Sequence, residues 1–532
     1  MILLDLPADL TPRAYDAVVT GGCAVGLSEG ALARVAQSRA LFLRHLETGV
    51  VCYGVNTGLG ALAGQDLSAA DMAAMPRHVL LARSVASGPA YPASIGRGAL
   101  LIRLAQFLTG FSAVTPELCR FMAARLNDGL SPVIPSEGHG MAGEIIPLCH
   151  VGQVLVGEGL VHGEGGTPIP AADWFGARGL APYAPQPKEG LALINGVAAA
   201  SAMAHDALHA LRGTLALAAL TAAATLEGLG ASQESWGADV ALLRPDPGLA
   251  HVAARLRYWL DGSGVTRGDR QPPVSLRVVP QVHGMAEAAL DALAGAVVDE
   301  WRTVSDNPVF LANPDSPVFG ALVHSGNFHC AELTARIEAM ALAVAQVAQL
   351  SERRLHRVLD ARFSGLSPQL ACKPGLDAGL VALHKAALGL GARVRSLSVP
   401  PSLMHGETSF GQEDMMTMAL PALDRLNALE RLTHRMLSYE LYAALVALDQ
   451  RQAQGGGAPG PALTAVHRDI RAHIPAYDGD RPFGPEVDRL AGLIGTVLRD
   501  APTHRGAVSQ SREAAAPPAH ANQQSLPERG SP

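Results

Sequence analysis

The distribution of hydrophobic residues along the chain predicts long, mostly buried helices. Three stretches, residues 196–227, 329–360 and 412–449, are rich in Ala and Leu, with their charges spread along the stretch. Because little of the circumference of such helices can face water, we expect them to pack inside a bundle or between subunits. Pro421 lies inside the third stretch and should kink that helix or mark a break in it.

Capping signals predict two shorter helices in the first quarter of the chain. Ser28 opens an apolar-periodic stretch that ends near Gly49, and Thr115 precedes a proline and an acid at the start of a stretch that ends at Gly129. The most apolar internal run, residues 215–226, is interrupted by threonines and is too short to span a bilayer. We therefore interpret it as part of a buried helix.

Segments rich in Gly and Pro separate the helices and carry polar side chains. Residues 52–64, 130–147, 262–273 and 400–411 contain Tyr, Asn, His, Arg or Glu, which favours a functional role for these long loops. After residue 500 the hydrophobic pattern stops. We expect one helical domain over residues 1–500 and a disordered tail over residues 501–532, rich in Pro, Ala, Gln and Ser.

Composition narrows the class of protein. The chain has 532 residues, of which 48% are hydrophobic and 4% aromatic, and its formal net charge is −7. These values suit a helical protein built from small side chains and argue against nucleic acid or an anionic membrane as a partner. The six cysteines are scattered without a CxxC pair, and the N-terminal segment lacks the features of a signal peptide. We expect a cytoplasmic protein.

Five segments, in this order and spacing, resemble the histidine and phenylalanine ammonia-lyase family. They are CYGVNTGLG at 52–60, PKEGLALING at 187–196, SLRVVPQVHG at 275–284, SDNP at 305–308 with GNFH at 326–329, and GQED at 411–414. The similarity covers roughly residues 3–500, and the pattern from Arg471 to Arg481 also resembles the bacterial histidine lyases. The resemblance implies an all-α homotetramer with a long central helix bundle. It also implies a loop-rich N-terminal part that carries active sites built from more than one subunit.

One loop departs from the pattern of this family. The family forms a methylidene-imidazolone electrophile from an Ala-Ser-Gly triplet, whereas this chain has Met141, Ala142 and Gly143 at that place. Ala142 has no hydroxyl to lose, so the sequence predicts a degenerate triplet and no cofactor. An engineered Ser→Ala change does not explain the loop, because neighbouring residues depart from the pattern too. Elsewhere, Arg83 stands where the family has a His, and Val274 replaces a Tyr that supports the electrophile.

Several residues at expected site positions nonetheless match the family. The resemblance implies that Tyr53 is the catalytic base, that Asn195 helps to hold the electrophile and the substrate, and that Arg277 grips the substrate carboxylate. A guanidinium suits a carboxylate because it offers two charge-assisted hydrogen bonds. Gln271 matches a hydrogen-bonding residue of the family, and Phe328 matches a wall of the pocket. Glu413 matches the acid that faces the imidazole in histidine lyases.

Each of these residues also has a structural interpretation, which stays open at this stage. Tyr53 could be satisfied by backbone groups, Asn195 could cap a helix, and Glu413 could match a helix dipole. Arg83 and His139, together with His324, are polar additions of this chain at positions expected to face the pocket. We assign Arg83 and His139 to substrate binding, with a structural role as the alternative.

No metal or pyridoxal phosphate site is predicted. His205 and His209 are one helical turn apart, and His324 lies close to His329 and its neighbouring cysteine, but neither group matches a metal motif with its acid partners. Lys188 is the only lysine near a motif, and it belongs to the family pattern.

The leading hypothesis from the sequence is a cofactor-independent enzyme on an ammonia-lyase scaffold. It would use Tyr53 as acid or base for elimination, isomerisation or cyclisation of an amino-acid-like, carboxylate-bearing substrate, as in specialised biosynthesis. A non-catalytic protein that binds a ligand or supports a partner subunit is one alternative. A second alternative is an ammonia-lyase, either vestigial or working with another electrophile.

Overall fold

The computed structural model describes residues 1–268, 271–312, 319–404 and 406–497, and most of them are helical. The first ten helices are α1 (Pro12–Val19), α2 (Glu29–Glu47), α3 (Ala69–Ala82), α4 (Ala93–Phe107), α5 (Pro116–Asn127), α6 (Ile145–Leu155), α7 (Ala171–Gly176), α8 (Glu189–Ile194), α9 (Ala198–Leu229) and α10 (Ala238–Leu242). The others are α11 (Pro247–Leu260), α12 (Val274–Arg277), α13 (Val279–Arg302), α14 (Ala331–Leu359), α15 (Ala361–Ser364), α16 (Val381–Ser396), α17 (Ala419–Ala453), α18 (Pro461–Arg471) and α19 (Gly484–Val497).

The described strands are short and form four separate pairs. They are β1 (Ile2–Leu4) with β2 (Val25–Leu27), β3 (Ser87–Ala90) with β4 (Pro135–Glu137), β5 (Leu160–His162) with β6 (Pro168–Pro170), and β7 (Val309–Phe310) with β8 (Leu322–Val323). Only the first pair is parallel. The expectation of an all-α fold is confirmed, because these pairs only fasten loops to the helical body.

A bundle of long helices forms the centre of the fold. Helix α17 packs along both α9 and α14, and α13 packs on α14 and α9. The three predicted long helices are thus confirmed as α9, α14 and α17. Helix α17 begins at Ala419 and runs unbroken to Ala453, so Pro421 lies in its first turn. A proline causes no kink there, because first-turn N–H groups have no partner within the helix.

One buried polar group joins three of these helices. Arg354 of α14 donates to both carboxylate oxygens of Glu440 on α17, from Nε at 2.6 Å and from Nη2 at 2.8 Å. The hydroxyl of Thr225 on α9 donates to the same carboxylate at 2.7 Å. Both charged side chains are completely buried. The carboxylate is therefore paired and hydrogen-bonded, as a buried charge requires.

The predicted helix starts are also confirmed. The hydroxyl of Ser28 accepts the N–H of Ala31 at the start of α2, and that of Thr115 accepts the N–H of Leu118 at the start of α5. Residues 215–226 lie inside α9. Among the described residues, the stretch Glu189–Leu229 is long and apolar enough to cross a membrane by length and composition. Its most apolar window is 72% buried within the fold, which is typical of a core helix.

The predicted disordered tail, residues 501–532, lies outside the described residues. Of the four loops singled out by sequence, residues 52–64 pack against α8 and residues 130–147 lead into α6. The described residues of 400–411 precede α17, and those of 262–273 precede α12.

Candidate active site

The triplet Met141, Ala142 and Gly143 lies in the bend that precedes α6. Gly143 is packed against Phe328, since a Cβ at this glycine would lie 3.3 Å from the Phe328 ring. The carbonyl oxygen of Met141 accepts the N–H of Thr417 at 3.2 Å. Phe328 therefore forms a wall beside the triplet, in the place where the sequence predicted a pocket wall.

Glu144, the next residue, fastens this loop to the start of α9. Its carboxylate accepts the N–H of Ala199 at 2.6 Å and that of Ala200 at 2.7 Å. Its own N–H donates to the carbonyl oxygen of Gly196. Glu144 is only 2% exposed, and this burial raises the pKa of its carboxyl to about 8, although the two N–H groups and nearby Arg103 act in the opposite direction. Glu144 thus caps α9 from inside the fold.

A raised pKa in the folded state makes the contribution of Glu144 to stability pH-dependent. The unfolded side chain ionises near its ordinary pKa, about 4.3, while the folded one keeps its proton to higher pH. The free energy of unfolding should therefore decrease as pH rises between those two pKa values. Chemical denaturation of the wild type and of Glu144→Gln from pH 4.5 to 8.5 checks this. The difference in the free energy of unfolding, wild type minus Glu144→Gln, should decrease as pH rises. A difference that is constant across this range would contradict it.

Asn195 ends the short helix α8 and is buried. Its Nδ2 donates to the carbonyl oxygen of Leu191 at 3.1 Å. The following residue, Gly196, has φ of +144°, and a Cβ there would come within 2.9 Å of both Arg103 Nη1 and Ser305 Oγ. Only glycine fits this backbone conformation and spacing. The close packing of Gly196 against Arg103 and Ser305 therefore fixes the backbone position of Asn195.

Tyr53 lies on the loop that packs against α8. Its hydroxyl accepts the N–H of Gly60 at 2.8 Å, and the edge of its ring contacts His324, with ring centroids 5.4 Å apart. The neighbouring Gly54 has φ of +67° and is packed against Leu191, where a Cβ would come within 2.7 Å of the leucine side chain. Leu191 of α8 thus contacts both the residue after Tyr53 and the side chain of Asn195.

Glu413 reaches the same place from the segment before α17. Its carboxylate accepts the hydroxyl of Ser409 at 3.1 Å. Ser409 in turn lies beside Gly60, since a Cβ at that glycine would be 3.6 Å from the Ser409 hydroxyl. Ser409 and Phe410 both have φ of +56°, and Phe410 is 98% exposed. The Tyr53 loop and the Glu413 segment therefore form a continuous rim.

His139 makes structural contacts in addition to any role in the site. It is buried, its Nε2 lies 2.7 Å from the carbonyl oxygen of Pro135, and its ring stacks on Tyr91. Burial lowers the pKa of its imidazole, so the neutral ring is favoured. Tyr91 donates to Asp424 at 3.0 Å, and burial raises the pKa of that carboxyl to about 6. No motif in the sequence indicates the Tyr91 and Asp424 pair, because its members lie far apart in the chain.

Arg83 is half-buried at the end of α3. Its backbone N–H donates to the carbonyl oxygen of Leu81, whereas its side chain has no hydrogen bond or ion pair in the part of the chain that the structure describes. Its charge acts on the buried thiol of Cys149, whose pKa it lowers against the larger effect of burial. The guanidinium is therefore free to meet an anion from outside the fold.

Arg277 and Gln271 lie apart from these residues. Arg277 belongs to α12, and its Nε donates to the carbonyl oxygen of Pro272 at 3.0 Å. Helix α13 follows and separates it from Ser305, which lies beside Gly196. That helix has 24 residues, so at 1.5 Å per residue it spans about 36 Å. Within one chain, the predicted residues thus fall into two groups. Tyr53, Asn195, Phe328 and Glu413 form one group, and Arg277 and Gln271 lie far from it.

Comparison with known proteins shows the family of the chain. The model of the aromatic amino acid lyase family matches residues 10–472. A histidine ammonia-lyase from Deinococcus radiodurans is 34% identical over 93% of this chain and 94% of its own length, and one from Anaeromyxobacter sp. (strain K) is 32% identical over 91% and 97%. The chain belongs to the aromatic amino acid lyase family.

Solved structures share the fold but differ in their named chemistry. The tyrosine aminomutase from Streptomyces globisporus has a TM-score of 0.84 and 26% identity, with 92% of this chain and 96% of that chain covered. An ergothionase from Treponema denticola has a TM-score of 0.87 at 24% identity over 93% and 99%, which shows the fold alone. Lyases and aminomutases thus use this scaffold.

The prediction that the protein has no cofactor is contradicted by these comparisons. The relatives are named histidine ammonia-lyase and the solved neighbours include an aminomutase, and the methylidene-imidazolone is what the resemblance implies for this group of enzymes. The prediction of a protein without a cofactor, which was based on Ala142, the loop around it, Arg83 and Val274, was therefore wrong.

Proposed function

We propose that the protein is an enzyme of lyase type that acts on a small amino-acid-like substrate with a carboxylate. The observation that carries this proposal is the cluster around Tyr53, in which Asn195, Phe328 and Glu413 meet at one rim. An enclosed phenol beside amide, carboxylate and aromatic groups suits acid–base chemistry on a bound organic molecule. The lyase and aminomutase relatives favour the same class of reaction.

Tyr53 is the acid or base in this proposal. Its hydroxyl oxygen accepts one hydrogen bond, from the N–H of Gly60, so its proton remains available for another partner. As a base, it takes a proton from a substrate carbon while the bond to a leaving group on the neighbouring carbon breaks. The electron pair of the C–H bond becomes the new double bond, and the leaving group departs with its own pair. If no group leaves, the electron pair stays on the substrate, and return of the proton to another carbon gives an isomer instead.

The substrate class follows from the charges around the site. Arg277 would bind a carboxylate with a bidentate pair of hydrogen bonds. Glu413, which accepts only one hydrogen bond from Ser409, would face a cationic or hydrogen-bond-donating group of the substrate. Histidine has both features, and it is the substrate named for the relatives. We therefore choose L-histidine as the first probe, with L-tyrosine and L-phenylalanine as comparisons.

A turnover assay on the full chain tests the proposal. Each probe is incubated with the protein, and mass spectrometry with NMR detects both loss of a group and isomerisation. We expect the wild type to convert at least one probe and Arg277→Ala to lower kcat/KM for it by about 100-fold or more, since the charge-assisted hydrogen bonds to the substrate carboxylate are lost. Binding of a probe without any conversion would overturn catalysis in favour of a ligand-binding protein, and absence of both would overturn the substrate class.

We further propose that the complete site forms between subunits of a homotetramer. The length of α13 prevents Arg277 and Tyr53 of one chain from meeting, so a neighbouring copy must supply Arg277. Mixed tetramers check this. Tyr53→Phe and Arg277→Ala, each inactive alone, are co-expressed, and roughly a quarter of the sites should then hold both native residues if subunits assemble at random. Activity that stays at the level of the single variants would show that the two residues act in the same chain.

A further inference from the structure

A cluster of two histidines and an aspartate lies on the outside of the bundle, where α1 crosses α9. His205 and His209 are one helical turn apart on α9, so their side chains lie on the same face. Asp16 of α1 reaches both, since its Oδ1 is 2.8 Å from Nε2 of His205 and 3.9 Å from Nε2 of His209. The three donor atoms all lie within 4.8 Å of one another. No motif in the sequence shows this, because the carboxylate comes from a distant segment.

We propose that Asp16, His205 and His209 form a binding site for a divalent transition metal ion of the zinc class. Two imidazoles and one carboxylate are the donors that such ions prefer, and three protein ligands with an open fourth position form a known type of zinc site. Zinc bonds of about 2.0–2.1 Å place tetrahedral ligands about 3.3 Å apart. The separations of 2.8 and 3.9 Å lie on either side of that spacing, so small rotations of the side chains suffice.

The surroundings hold one ligand in place and leave the others free to adjust. The His205 ring is enclosed by Tyr15 and Trp301, with ring centroids 4.7 and 5.1 Å away, and its side chain is 4% exposed. The side chains of Asp16 and His209 are 41% and 62% exposed, which gives an ion a path from solvent. A fixed ligand with two mobile ones can close around an arriving ion at little cost in packing.

The local charge also favours a cation. Asp206, between the two histidines in sequence, acts electrostatically on His205 together with Asp16. Its own carboxylate accepts the hydroxyl of Ser94 at 2.5 Å and so stays close to α4. The two carboxylates create a negative potential at the site. A bound ion would join α1 to α9, which links the N-terminal segment to the central bundle.

The alternative is a purely structural pair in which Asp16 holds His205 and His209 is an ordinary surface residue. Zinc binding to the full chain separates the two possibilities. After treatment with a chelator and its removal, the protein is titrated with Zn²⁺ by calorimetry, and Co²⁺ is used as a spectroscopic probe of tetrahedral geometry. We expect one ion per chain, and Zn²⁺ should raise Tm by several degrees at saturation, because the ion binds the folded state.

His209→Ala is the decisive variant, since this residue is exposed and its loss should leave the metal-free Tm unchanged. It should weaken Zn²⁺ binding at least 10-fold and remove the rise in Tm. His78→Ala, at another exposed histidine on a helix, is the matched control and should bind like the wild type. Asp16→Asn should weaken binding in the same way while also lowering the metal-free Tm. Equal binding by the wild type and His209→Ala, or no rise in Tm for the wild type, would overturn the proposal.

Discussion

Replacing Tyr53 with Phe is expected to lower the turnover of the eventual substrate by about 10³- to 10⁴-fold, or roughly 4–5 kcal/mol in the barrier. The change removes one hydroxyl, whose only hydrogen bond in the described structure is the one accepted from Gly60. The ring remains and still contacts His324 and the core, so the fold should persist. Steady-state kinetics should show the loss in kcat, with little change in the Kd of the substrate.

A second tyrosine serves as the control for this substitution. Tyr258 lies on α11, away from the rim, and is partly exposed. Tyr258→Phe removes the same atom and should leave kcat and KM within twofold of the wild type. If Tyr53→Phe behaved like this control, Tyr53 would be a structural residue and the acid–base role would be excluded.

Breaking the ion pair between Lys188 and Asp306 is expected to destabilise the fold by about 3–5 kcal/mol. Nζ of Lys188 lies 2.7 Å from Oδ2 of Asp306, and both side chains are completely buried. Lys188→Met would leave the carboxylate in the core without its cation. Chemical denaturation followed by circular dichroism should show this loss, and Lys385→Met, at an exposed lysine on α16, should change the free energy of unfolding by less than about 0.5 kcal/mol.

A double variant tests whether the unpaired charge causes the loss. Lys188→Met with Asp306→Asn removes both charges, so it should recover part of the stability that Lys188→Met alone loses. Additive losses in the double variant would mean that packing around Lys188 causes the effect. The pair lies beside α8, so catalysis in the single variant should also fall faster with temperature than catalysis in the wild type.

The sequence predicted the helices better than the assembly of the site. Long stretches that are rich in Ala and Leu indicate buried helices, so α9, α14 and α17 followed from composition. Helix α17 begins at Ala419 and not at residue 412 as predicted, because residues 412–418 form the loop that carries Glu413. Pro421 then lies in the first turn, where a proline is tolerated. Such boundaries depend on tertiary contacts, here the hydrogen bond from the N–H of Thr417 to the carbonyl oxygen of Met141.

The site residues were predictable one by one, but their grouping was not. Motif spacing indicated Tyr53, Asn195 and Phe328, and the fold places them near one another. The separation of Arg277 depends on the length and direction of α13, which no local pattern reveals. The same holds for Asp16, whose approach to His205 joins segments almost two hundred residues apart in the sequence.

The buried carboxylate of Glu440 sets the axial register of the central bundle. Helices covered with Ala and Leu present similar surfaces at every turn, so sliding by one turn, about 5.4 Å, would cost little in apolar contact. Such a shift would leave Glu440 without Arg354 and Thr225, which is strongly unfavourable in a dry interior. This polar group therefore fixes the axial alignment of the three helices. The loops at the ends of the bundle consequently keep a constant position along its axis, which the proposed site between chains would require.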